Sequence, residues 1–245
     1  MKKIILILSI GFAFISCKKN SGTTSGAGVS TTTNSNIYPS NATDFYGFLS
    51  LTKNQNINLS PNNPHIVYTN YAANAVFNSS PLPINFYNVP HLAVDSVFFN
   101  NTFCPIDTFD NSYNSGSADS LCNWRIVGNN SIHSFNFTKN NGMAIYTGYN
   151  LLPDTIDHTQ PITLPIHIAN ADDVVVILNM NGTGPIDTLK PGATSAAFST
   201  TQMSIGHTGM GSILIQNSNY YAENVYGKPM QFAFFLYFEK QVYFK

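Results

Sequence analysis

Residues 212–244 read SILIQNSNYYAENVYGKPMQFAFFLYFEKQVYF, and this stretch settles the fold class of the 245-residue chain. Apolar and aromatic runs fall at 212–216, 220–226, 230–238 and 241–244. Between them lie Asn217-Ser218-Asn219, Gly227-Lys228-Pro229 and Glu239-Lys240. Short runs rich in aliphatic and aromatic residues, bounded by Asn, Gly and Pro, predict strands rather than helices.

The same style continues toward the N-terminus. It predicts strands at 144–149, 162–168, 174–180, 186–189 and 196–198, and before them at 45–51, 65–77, 82–87, 91–99, 121–127 and 132–137. Ser60-Pro61-Asn62-Asn63-Pro64, Asn78-Ser79-Ser80-Pro81, Asn88-Val89-Pro90 and Gly128-Asn129-Asn130 mark turns. Residues 199–206 carry the one helical signal, a Ser199 cap and a closing Gly206. A strand about every ten residues points to an all-β sandwich or barrel. The expected architecture is two immunoglobulin-like antiparallel β-sandwich domains in tandem, at 37–139 and 140–245. Their join is the polar turn Lys139-Asn140-Asn141-Gly142. A single closed barrel of the lipocalin type is the alternative and would leave part of the chain unused.

Composition narrows the function classes. Charged residues are 9% of the chain, against roughly 25% in ordinary soluble domains, and the formal net charge is -1. Nucleic-acid binding needs clustered Lys and Arg, and Arg125 is the sole arginine. A hydrophobic fraction of 43%, with 18 Phe and 13 Tyr, excludes disorder of the whole chain. Glutamates number only two, Glu223 and Glu239, which disfavours long helices. In their place stand 31 asparagines, which give a polar surface without charge.

The N-terminus reads as a targeting segment. Met1-Lys2-Lys3 precedes an apolar run at 4–15 and then Ser16-Cys17, which together describe a secretory signal over 1–16. The run is shorter than the roughly 20 apolar residues that span a bilayer. Phe14-Ile15-Ser16-Cys17 resembles the lipobox of bacterial lipoproteins, in relaxed form because Phe14 stands where Leu is usual. That resemblance implies cleavage before Cys17 and acylation of Cys17, which anchors the protein to a membrane through lipid. Two or three acyl chains hold stably where one is marginal. A simple secretory signal with a chance cysteine is the bland alternative. Residues 17–36 are mostly Ser, Thr, Gly and Asn and form a tether with an end-to-end distance of roughly 25 Å.

The chain as a whole resembles small lipoproteins of Bacteroidota-like bacteria. Beyond the signal and tether, the likeness rests on Leu121-Cys122-Asn123-Trp124-Arg125-Ile126-Val127-Gly128 and on Gly227-Lys228-Pro229-Met230-Gln231-Phe232 before a final aromatic strand. It implies an immunoglobulin-like body anchored to the outer membrane and brings no catalytic residues with it. In that group acidic residues after the lipidated cysteine tend to mark surface export. Here Lys18-Lys19-Asn20 follows, which favours the periplasm-facing side.

Cys104 and Cys122 are an even pair in an exported chain, and a disulfide between them would close a loop of about 17 residues, worth roughly 3 kcal/mol. Two separate buried thiols are the other reading. Asp107, Asp110 and Asp119 invite a calcium hypothesis, but Ser115 and Leu121 stand where an EF-hand needs glycine and glutamate. Asp154, Asp157 and His158 are read the same way, as turn residues. No metal or cofactor motif is present, nor HExxH, a nucleophile elbow or a phosphate loop, so no catalytic residue is assigned. Gly206-His207-Thr208-Gly209-Met210-Gly211 reads as a loop between strands. An aromatic platform could draw on Trp124, Tyr220, Tyr221, Tyr226 and Phe86-Tyr87, although the alternation around Trp124 places that ring in the core. Tyr220-Tyr221 puts one ring on each side of a strand.

Four triplets of Asp, then Ser or Thr, then an aliphatic residue carry Ser96, Ser120, Thr155 and Thr188. They resemble the O-glycan acceptor motif on exported proteins of the same bacteria. Asn41, Asn78 and Asn136 sit in Asn-x-Ser/Thr triplets that the asparagine content alone explains.

The function expected from the sequence is a non-catalytic binding or structural role in the cell envelope, with a glycan or protein partner. An envelope hydrolase using dispersed Asp and Glu carboxylates is the alternative. A deep cleft with two carboxyl groups about 5 to 10 Å apart would favour the enzyme, and flat sheet faces would favour binding. The anchor is directly testable. The wild-type chain is expected to incorporate labelled palmitate and fractionate with membranes, and Cys17→Ser to do neither. A variant that still does both would exclude lipidation at Cys17.

Overall fold

A computed structural model describes residues 45–59, 66–82, 91–117 and 121–245. The signal segment, Cys17, the tether and all but the first residue of the expected strand at 82–87 lie outside the described residues. The body is all-β: β1 (Phe45–Ile57), β2 (Tyr68–Leu82), β3 (Ser96–Phe99), β4 (Thr102–Cys104), β5 (Tyr113–Ser117), β6 (Asn123–Val127), β7 (Phe135–Thr138) and β8 (Ile145–Tyr146). There follow β9 (Thr155–Ile156), β10 (Ile162–Pro165), β11 (Ile168–Ala169), β12 (Val174–Asn179), β13 (Ile186–Leu189), β14 (Ser195–Phe198), β15 (Gly209–Val225) and β16 (Lys228–Phe244). The expected helical turn is α1 (Thr200–Met203). Ser199 caps it in a reciprocal capping box with Gln202.

The stretch 212–244 folds into two long strands rather than four short ones. β15 and β16 are 17 residues each and pair antiparallel from Val225↔Lys228 to Gly209↔Phe244. The turn is Tyr226-Gly227, both with positive φ (51° and 81°), the two-residue geometry that follows the twist of a hairpin. Asn217 and Asn219, which read as turn residues in sequence, point into the core at 2% exposure each. Asn219 donates from Nδ2 to the carbonyls of Gly142 (2.9 Å) and Asn170 (2.7 Å), and its Oδ1 accepts from the Asp172 amide (3.1 Å). Asn217 donates to Asp173 O at 2.8 Å. Lys240 is likewise buried, ion-paired to Asp154 at 2.7 Å and donating to Leu152 O. That pair brings β9 against the end of β16, where Tyr243 aligns with Thr155.

The strands do not sort into two bodies at Lys139/Asn140. The main sheet runs β13-β12-β15-β16-β1-β2-β5, with β9 on the end of β16, so strands from both halves share it. β1 lies parallel to β16 over eleven aligned pairs, from Gly47↔Met230 to Ile57↔Lys240. The described residues all belong to one compact unit. The segment expected to be a linker is pinned: Asn219 holds Gly142, Asn170 Nδ2 donates to Asn141 O and Met143 O, and a Cβ on Gly142 would lie 2.5 Å from the Phe234 ring. The tandem expectation fails because strands of both halves share the main sheet, and the Asn170 and Asn219 side chains fasten the backbone of the supposed linker to the core.

A second sheet of four strands, β4-β3-β6-β7, packs on the main one, and the pairs β10-β14 and β8-β11 complete the body. A single core cluster takes Val97, Phe99, Trp124, Ile126 and Phe137 from the small sheet and Leu49, Leu51, Phe77, Phe232 and Phe234 from the large one. Phe137 stacks on Phe232 with ring centroids 3.5 Å apart. The layering is sandwich-like.

Replacing Asn219 by alanine strips partners from two carbonyls and one amide at once. Asn219→Ala is expected to lower stability by about 2–4 kcal/mol, since the buried Gly142 carbonyl left without a partner costs about 1–3 kcal/mol and the less buried Asn170 carbonyl and Asp172 amide add less. Urea unfolding checks this, and a loss under about 0.5 kcal/mol, the range of ordinary surface substitutions, would contradict it.

Candidate functional site

The aromatic platform that the sequence allowed does not assemble among the described residues. Trp124 is buried at 2% exposure, as its alternation predicted, and packs against Phe99 at 4.7 Å. Tyr220 and Tyr221 do fall on opposite sides of β15: Tyr220 meets Phe235, and Tyr221 meets Phe234 and lies under the Lys139 ammonium. Tyr226 stands at the hairpin turn beside His133. Phe86-Tyr87 lies outside the described residues.

A different group of side chains comes together on the outer side of the small sheet. Register places Phe103 of β4, Phe98 of β3, Arg125 of β6 and Asn136 of β7 in one row, since Phe98 aligns with both Phe103 and Arg125, and Arg125 with Asn136. Strand spacing of about 4.8 Å gives the row a length of about 14 Å. Phe103 is 55% exposed and meets Phe98 edge to face, with centroids 5.7 Å apart. The Arg125 Cζ lies 3.6 Å from the centroid of the Phe98 ring. A guanidinium held on an aromatic ring loses little freedom when it binds, and its planar fork suits a carboxylate. Among the residues of these four strands Arg125 is the sole charged side chain, and no carboxylate in the described residues pairs with it.

The hairpin that makes this row was half hidden in the sequence. Asn100 and Asn101 both take positive φ (48° and 65°) and turn β3 directly into the three-residue β4, which is too short to show in a hydrophobic pattern. Arg125 and Phe98 could have been placed by alternation alone, because their neighbours Trp124, Ile126, Val97 and Phe99 are all core.

The cysteines do not form a disulfide; both thiols are free and buried. β3 lies between β4, which ends in Cys104, and β6, which follows Cys122. Two strand spacings are about 9 to 10 Å, beyond the about 7 Å limit for bridged Cα atoms. Burial pushes the Cys122 thiol up to about 12, partly offset by Trp124. Cys104 is raised for the same reason.

The acidic loops turn out to serve the backbone. Asp107 Oδ1 accepts from the Phe109 amide and Asp110 Oδ1 from the Ser112 amide, both at 2.8 Å. These turns hold Phe109 outward at 97% exposure. Asp110 also faces His91, a buried imidazole whose Nδ1 is 3.1 Å from Asn78 Oδ1. Burial lowers the His91 pKa, and the Asp110 carboxylate offsets part of that. Asp119 lies outside the described residues. In the second loop Asp154 pairs with Lys240, Asp157 accepts from Thr159, and His158 Nε2 is 3.3 Å from Thr208 Oγ1. Among the described residues no group of three His, Cys, Asp or Glu is placed to hold a metal ion.

Of the four O-glycan triplets, Thr155 and Thr188 expose their side chains on β9 and β13, Ser96 is half-buried at the start of β3, and Ser120 lies outside the described residues. Comparison with protein-family models, curated proteins and solved structures finds no match for this chain.

The thiol arrangement gives a clear chemical expectation. Native protein at pH 8 should leave Cys104 and Cys122 unmodified by a thiol reagent, because both are buried and held as thiols. Unfolding without reductant should release both. Failure to alkylate either one after unfolding would restore the disulfide.

Proposed function

We propose that this protein is a lipid-anchored component of the cell envelope that works by non-catalytic binding. Cys17 carries the lipid, the outer membrane is the anchor site, and the body faces the periplasm. The working surface is the outer side of the β4-β3-β6-β7 sheet, offered to a glycan or protein partner.

The observation that carries this reading is the row Phe103–Phe98–Arg125–Asn136. It lies across a sheet whose inner side is packed into the core, so the face is fixed before a partner arrives. Pre-organisation of this kind reduces the ordering cost of association. Exposed Phe103 offers apolar area, the arginine a directed charge, and Asn136 a neutral amide. Aromatic residues and Arg are the side chains that dominate binding energy at interfaces. The surface is open and nearly flat in register, which suits an extended partner.

Full-length protein in detergent, immobilised and exposed to envelope polysaccharides and membrane extract, tests the proposal. One glycan or protein should be retained reproducibly, and the double variant Phe98→Ser/Phe103→Ser should lose at least tenfold in affinity while melting within a few degrees of wild type. Retention that survives the double variant would move the site elsewhere. Chemical turnover of the retained material would contradict a non-catalytic role.

A further inference from the structure

We infer that the row centred on Arg125 recognises a polysaccharide whose repeating unit carries a carboxylate, such as a uronic acid polymer. This rests on the binding reading above and names the ligand class for the same face.

Charge is the first argument. The chain is slightly anionic overall, yet these four strands present one cation and no anion. That suits a sugar polymer seated with one carboxylate on the guanidinium and its remaining carboxylates left in solvent. The stacking of Arg125 on Phe98 fixes the guanidinium plane and leaves N–H groups for a two-point hydrogen bond to that carboxylate.

The neighbours of Arg125 supply the second argument. On one side, about two strand spacings away, Phe103 exposes its ring; on the other, one spacing away, Asn136 exposes an amide. Asn123 and Thr138, aligned with each other on the same side of the sheet, add neutral donors and acceptors. An apolar disc, a carboxylate fork and uncharged hydrogen-bonding groups in sequence correspond to the apolar ring face, carboxylate and hydroxyls of linked uronic acid units. An acidic peptide would satisfy the arginine alone, whereas linked sugar units also use the exposed Phe103 ring and the neutral groups beside Arg125.

Affinity electrophoresis of the full-length protein in detergent tests the inference at fixed ionic strength. The probes are polygalacturonate, its methyl ester, neutral dextran and polyglutamate. Polygalacturonate should retard the wild type, with binding at least tenfold weaker to the ester. Arg125→Gln should lose at least tenfold in affinity for polygalacturonate, and Arg125→Lys should fall between, since it keeps the charge and loses the planar fork. Near-ultraviolet circular dichroism should be the same for all three proteins. No retardation by polygalacturonate, equal binding of acid and ester, or full affinity in Arg125→Gln would each overturn the inference. So would competition by polyglutamate as strong as that of the sugar polymer. Binding of dextran that depends on Phe98 and Phe103 but not on Arg125 would overturn the carboxylate while leaving the wider binding role intact. Retention that ignores all three residues would remove both.

Discussion

The row Phe232, Phe234, Leu236 and Phe238 on the core side of β16 is the constraint on which the body depends. All four are at 1% exposure or less. β16 lies between β15 and β1, so the last strand of the chain takes the first described strand as its parallel neighbour. Each connection in turn leans on this row: Phe137 stacks on Phe232, Gly142 passes against Phe234, and Tyr146 meets Phe238 edge to face at 4.7 Å. Burying one such ring contributes about 1.5–3 kcal/mol, so the row outweighs any single polar contact around it.

This arrangement also explains how a small four-stranded sheet can serve as a rigid surface. Four short strands alone would be weakly stable. Here Val97, Phe99, Trp124, Ile126 and Phe137 sink into the shared core and fix the strands from below. Period-two alternation then puts Phe98, Phe103, Arg125 and Asn136 outward with little freedom to rearrange. The proposed binding face is thus the reverse side of a core-packing layer, and its order follows from that packing.

The sequence showed the strands well where alternation and turn residues agreed, as at 186–189, 174–180 and 121–127, of which the last two are observed one and two residues shorter, and it showed the cap at Ser199. It misled where a polar residue had a buried task. Asn217, Asn219 and Lys240 look like breaks in the pattern, yet each donates to a backbone carbonyl or a carboxylate of a crossing loop. Lys139-Asn140-Asn141-Gly142 looked like a linker, yet the carbonyls of Asn141 and Gly142 are held by Asn170 and Asn219 from elsewhere in the chain. Long-range pairing was beyond local pattern altogether: nothing near residue 49 indicates that Phe232 will be its neighbour. The candidate face was legible in part, through the alternation around Arg125, but the partner strand β4 was hidden by its length and by the two asparagines that turn into it.

Titration of nitrogen-15-labelled protein with polygalacturonate, followed by nuclear magnetic resonance, tests the central claim most directly. The Arg125 Nε–H and the Asn136 side-chain amide should shift most, with smaller shifts at Asn123 and along β3, β4 and β7, and none at Asn219 or elsewhere in the buried core. Shifts centred instead on the outer side of the main sheet, around Tyr68 and Phe235, would contradict it.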